Sequence, residues 1–125
     1  MNYRIYAVYF SDNRVKIGIT SDADQRMRYY SQECRRNRVS WFGWWASAEF
    51  SKQSALLAER TICRAYSDLA MLGHREWFDG DSNLYTSVIE SAEQLRVALR
   101  EDHEVVSDIP YQGRQGQWGI LANAH

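Results

Sequence analysis

The 125-residue sequence has no apolar run approaching the roughly 18 residues needed to span a bilayer. Its first residues also lack the apolar core of a secretion signal. Both absences lead to the expectation of a cytoplasmic protein. Cysteine is scarce. Cys34 and Cys63 stand far apart and neither belongs to a C-x-x-C pair, so the spacing indicates no zinc or redox site and two buried, reduced thiols are expected. No internal repeat and no second domain is visible, and the length suits one domain with one core. A dominant charge sign is missing too, with a net charge of −1, but that sum hides a gradient. Residues 1–40 carry eight Lys/Arg against four Asp/Glu, residues 41–80 four against five, and residues 81–125 three against seven. A phosphate backbone would bind the N-terminal third and avoid the acidic tail.

Aromatics are plentiful, with five Trp and eight Tyr, so a folded chain is expected. Tyr3–Phe10 (YRIYAVYF) is aromatic and β-branched and reads as a strand. Ser11–Arg14 supplies turn residues, and Val15–Thr20 (VKIGIT) alternates like a half-buried strand, which makes a hairpin. A one-residue slip in its register would exchange the faces of Tyr6 and Tyr9. Ser21–Asp24 (SDAD) reads as a helix start, and the helix is expected to run to about Asn37 with Ala23, Met27, Tyr30 and Cys34 inward. Val39–Phe50 reads as a third strand, bulged at Gly43. A second helix is expected over Ser51–Leu72, stopped by Gly73, and a third over Asn83–Arg100 with Leu84, Val88, Leu95 and Leu99 inward. His74–Gly80 pins Trp77 and Phe78 into the core. The expected architecture is α+β: a three-stranded antiparallel sheet flanked by helices, a β-β-α-β-α core with a C-terminal helix and tail. Residues 1–80 would form the functional domain, with residues 81–125 packed on it.

Four positions invite chemistry. On a helical wheel at about 100° per residue, Glu59 falls at the centre of the second helix's apolar stripe. A carboxylate there is costly unless it is paired or binds a cation. A core salt bridge and a metal ligand both satisfy that demand. Arg26 and Tyr30, one turn apart on the first helix, share a face. They read either as a snorkelling charge and a packed ring, or as a site. Gly18 in mid-strand weakens the strand, so it marks a bulge, a closely packed helix or room for a ligand. Arg35, Arg36 and Arg38 close the helix that carries Arg26 and Arg28. They form a solvated helix end or a grip on phosphate.

Taken in order, these residues resemble the GIY-YIG nuclease superfamily, in particular a small branch whose second motif reads K-I-G-I-T and which closes with E-W-F. The resemblance covers about Tyr3 to Phe78. Tyr6 falls at the first-motif tyrosine, with Tyr9 as a rival, and Lys16–Gly18 falls at the second motif. Arg26 falls at the family's arginine, Tyr30 at a His or Tyr position, Glu59 at the metal-binding glutamate and Glu76–Phe78 at the branch signature. Two departures stand out: the first motif lacks its glycine, and Lys16 replaces a tyrosine.

The resemblance implies a metal-dependent DNA endonuclease. Glu59 would hold Mg²⁺ or Mn²⁺, and Arg26 would stabilise charge on the phosphoryl oxygens. Tyr6 would position or deprotonate the attacking water, with Lys16 or the metal lowering its pKa. Tyr30 would support or share that role. Gly18, Arg28, Arg35, Arg36 and Arg38 would contact DNA. A homodimer or protein partner using the C-terminal region would supply selectivity, and a phage or mobile element would be the source, acting in the host cytoplasm. The rival expectations are a catalytically silent DNA-binding relative and a protein-interaction or regulatory module.

Overall fold

The computed structural model describes residues 2–73 and 76–99. The chain runs β1 (Asn2–Phe10), β2 (Arg14–Thr20), α1 (Ala23–Asn37), β3 (Trp41–Ala46), β4 (Phe50–Ser51), α2 (Lys52–Ala65), a 3₁₀ turn (Ser67–Leu69), β5 (Trp77–Asp79) and α3 (Ser82–Ala98). The fold is α+β, with an antiparallel sheet in the order β3-β1-β2-β5 and β4 added to the start of β1. Among the described residues the sheet has five strands where three were expected. The two additions are three residues or fewer, too short for a period of two to show in sequence.

The hairpin register pairs Tyr6 with Gly18 and Val8 with Lys16. Alternation along β1 then builds two cores. Tyr6, Val8 and Phe10 pack with Ala23, Met27, Tyr30 and Cys34 of α1 and with Trp44. Ile5, Ala7 and Tyr9 face the other way, onto α2 and α3 through Ala55, Ala58, Ile62, Tyr85 and Val88. Tyr9 therefore belongs to the core opposite Tyr6. Its hydroxyl donates to Asn13 Oδ1 at 3.1 Å, and Asn13 adopts φ 60° in the turn.

Three boundaries differ from the sequence reading. The β1–β3 register shifts so that Phe42 is the extra residue, one position before the expected bulge at Gly43. Helix α2 ends at Ala65, well short of Leu72. Beyond it, Ala70 bridges to Phe78 and Met71 N–H donates to Trp77 O at 2.8 Å, so the backbone exchanges helical bonds for partners along β5. Leu69 is accordingly exposed, and Gly73, at φ 79°, sits in a turn away from any helix end. On α3 the buried residues include Tyr85, Ile89 and Ala92, so its inward face is wider than the expected stripe. The acidic tail, residues 101–125, lies outside the described residues.

Candidate active site

Strand β5 pairs with β2 only along Arg14, Val15 and Lys16. Toward Gly18 this edge of β2 has no strand beside it among the described residues. Helix α1 covers one sheet face and α2 the other, and both reach this open edge. A surface cleft of about 430 Å³ lies there, lined by Tyr6, Lys16, Gly18, Arg26, Tyr30 and Glu59 together with Tyr29, Glu76 and Trp77. Six residues from four elements, singled out from sequence, thus share one cleft.

Asp22 starts α1 by accepting Gln25 N–H at 3.0 Å, and this sets the phase that turns Tyr30 inward and leaves Arg26 half-buried at the cleft. Tyr30 is only 4% exposed, and its hydroxyl lies 3.1 Å from that of Tyr6. Burial, followed by the nearby Tyr6 hydroxyl, drives the Tyr30 phenol far above its ordinary range. Tyr30 therefore keeps its proton and can donate to Tyr6 Oη. The Tyr6 ring stacks on Trp44 with centroids 5.4 Å apart and planes 3° off parallel. The Lys16 Nζ and Arg26 Cζ atoms lie 5.7 and 6.0 Å from its centroid.

Gly18 makes room for Tyr6 and is not a bulge. A Cβ there would stand 2.5 Å from Tyr6 Oη and 2.6 Å from Cζ, so the missing side chain makes room for the phenol. The ladder at Gly18 is unbroken.

Lys16 is 7% exposed. Its Nζ donates to Glu76 Oε1 at 2.6 Å and to Ile17 O at 2.9 Å, which leaves one of its three N–H groups for the cleft. Glu76 is the site residue that sequence reasoning misses. It stands inside the E-W-F signature without a role, and no local spacing could reveal a partner 60 positions away.

Glu59 is half-buried and makes no hydrogen bond or ion pair with the described residues. The core salt bridge, one of the two readings of Glu59, is absent among them. Burial, and then the neighbouring Glu76 carboxylate, push the Glu59 carboxyl up to about 7, with Lys16 and Arg60 offsetting part of the rise. Arg26 likewise has no carboxylate partner among the described residues. Among the described residues, the same cleft thus holds a half-buried acid that makes no ion pair and, in Arg26, a cation that makes none.

The remaining basic residues divide. Arg28 borders the groove beside the cleft, with Gln25, Arg26 and Tyr29. Arg35 and Arg38 border a separate dip beside Trp41, and Arg36 pairs with Glu33 at 2.7 Å, so none of these three reaches the cleft. Both thiols stay protonated. Burial raises Cys34 and pushes Cys63 up to about 12.

Fold and cleft together define a small α+β domain with a charged cleft at a sheet edge. The chain belongs to the T5orf172 domain family, whose model matches residues 3–98. The match spans the sheet, all three described helices and every cleft residue. It supports a phage-type, DNA-related domain of nuclease-like or DNA-binding character. No curated protein and no solved structure matches the chain. Among the described residues no helix is long and apolar enough to cross a membrane.

Proposed function

We propose that this cleft hydrolyses phosphodiester bonds in DNA with a divalent cation, Mg²⁺ or Mn²⁺, in the manner of the GIY-YIG nucleases that the motifs resemble. The observation that carries this reading is the coexistence in one cleft of Glu59 and Arg26, neither of them in an ion pair among the described residues. A structural salt bridge would have joined such charges, whereas a phosphate with its cation satisfies both.

The donor set fits the cation. Mg²⁺ binds through one or two carboxylates and takes its other ligands from water and phosphate oxygens. The described residues contain no cluster of three or more His, Cys, Asp and Glu side chains, so the fit is to such an open site and not to a protein cage. Glu59 would hold the ion, which would supply charge neutralisation at the scissile phosphate and leaving oxygen.

The chain's own groups have separable tasks. The Arg26 guanidinium offers a planar fork to the phosphoryl oxygens as charge develops. Lys16, fixed by Glu76, presents its third N–H to the same phosphate. Tyr6 Oη, at the cleft floor, accepts a hydrogen bond from the attacking water and positions it; as the water oxygen bonds to phosphorus and the bond to the leaving oxygen breaks, the water's proton passes to solvent. Tyr30 holds Tyr6 by hydrogen bonding and, keeping its own proton, is not the base. A domain that binds DNA without cutting it would explain Arg26 but not a desolvated carboxylate beside phosphate.

The test is incubation of the full chain with supercoiled, linear, single-stranded and branched DNA, each with Mg²⁺, Mn²⁺ or EDTA. Cutting that needs the cation is expected. A folded protein that binds these DNAs and cuts none of them would favour the silent DNA-binding reading.

A further inference from the structure

Beside the cleft lies a second, narrower slot of about 280 Å³. Tyr29, Tyr30 and Trp77 line both spaces, and Phe10, Arg14 and Glu33 complete the parts of the slot that matter here. We propose that the slot receives one unstacked nucleobase of the DNA, next to the phosphate held by Arg26 and Lys16. This rests on the nuclease reading of the cleft and adds a substrate class to it: DNA with an unpaired base.

The walls are those a base plane uses. Tyr29 is 49% exposed although aromatic, and its ring stands edge-on to Tyr30 with centroids 5.0 Å apart. The Trp77 ring stacks on Phe10 at 5.4 Å and carries the Arg14 guanidinium 4.7 Å from its centroid. Aromatic rings and guanidinium planes are the surfaces on which splayed-out bases stack. The volume lies just below the range of about 300–1,000 Å³ typical of small-molecule pockets, which suits a single base.

The charges argue against a second phosphate. Arg14 is already paired with Asp12 at 2.7 Å, and the Glu33 carboxylate forms part of the lining. Glu33 also accepts from Asn37 Nδ2 at 3.3 Å, and Asn37 lines the slot as well. An acceptor and an amide at the wall match the polar edge of a base rather than an anion. Because the slot and the cleft share three side chains, a nucleotide can place its base in one and its neighbouring phosphate in the other. A base inside a duplex cannot enter, so unpaired or flipped-out bases are selected.

The test measures anisotropy of the full chain in EDTA with three dye-labelled duplexes of one sequence. One is fully paired, one carries a single unpaired nucleotide, and one carries an abasic residue at that unpaired position. The abasic duplex keeps the bend and removes only the base. The unpaired base should bind about ten-fold tighter than the abasic control, within the range that stacking on an aromatic provides. Tyr29→Ala should bring the two to equality, and Tyr29→Phe should retain the difference. Equal binding of the unpaired and abasic duplexes by wild type would overturn the slot while leaving the nuclease cleft standing. Binding to none of the three would overturn the slot, and the cation-dependent cutting assay decides the nuclease reading separately. A difference that survives in folded Tyr29→Ala would also overturn the assignment.

Discussion

Glu59 is where a single residue ties stability to function. Its carboxyl moves from about 4.5 to about 7 on folding, so the folded state prefers the proton. The sign follows from linkage: the stability contribution is whole below about pH 4.5 and is lost as pH rises through about 7. Allowing for partial solvent screening, the loss is about 1–3 kcal/mol. Urea unfolding without metal should therefore show wild type losing stability across this interval. Glu59→Gln, which is neutral throughout, should be the more stable protein at the alkaline end. Parallel curves for the two proteins would contradict the desolvation of Glu59. Gly18 offers a second test at this scale. Gly18→Ala puts a methyl group against the Tyr6 phenol, and about 1–3 kcal/mol of destabilisation is expected. An unchanged urea midpoint would mean that Tyr6 does not need this space. Glu59 and Arg26 are legible in the sequence, because a charge at or beside an apolar stripe is conspicuous. Glu76 is not, since its importance comes from its bond to Lys16 across 60 positions.

Among the elements, α1 is readable from end to end because its cap, stripe and basic last turn agree. Its closing residue departs from the sequence reading. Arg38 is the C-cap, at φ 56° and ψ 39°, with its N–H bonded to Cys34 O. That left-handed conformation favours glycine. Arg38→Gly should leave cutting unchanged and raise stability by about 0.5–1 kcal/mol in thermal or urea melts. A marked fall in DNA cutting by this variant would instead assign Arg38 a role in substrate contact. Helix α2 looks longer in sequence than it is, because Tyr66, Leu69 and Ala70 continue a helical period. The backbone partners offered by β5 outweigh that local pattern. The face of Tyr6 is not readable from sequence either, since strand alternation alone leaves a one-residue slip open. The observed pairing of Tyr6 with Gly18 settles it, and the clearance seen at Gly18 gives the physical reason.

For the molecule as a whole, the basic third of the sequence supplies most of the cleft lining. Lys16, Gly18, Arg26 and Tyr30 of the cleft follow one another along β2 and α1, and the basic end of α1 lies just beyond them. DNA gripped by this end would release counterions for each phosphate neutralised. Replacing both Arg35 and Arg28 with Ala should weaken DNA binding and flatten its salt dependence by about one unit for each phosphate no longer neutralised. The cutting rate at saturating protein should stay unchanged, because neither residue lines the cleft. Single-turnover cutting of the preferred DNA with Mg²⁺ by wild type, Glu59→Gln and Arg26→Ala, each shown to be folded, is the most direct test of the site. Wild type should cut, and each variant should be slower by at least about 100-fold, the scale of losing one group that stabilises transition-state charge. A folded Glu59→Gln protein cutting within a few-fold of wild type would contradict the assignment of this cleft as a metal-dependent nuclease site.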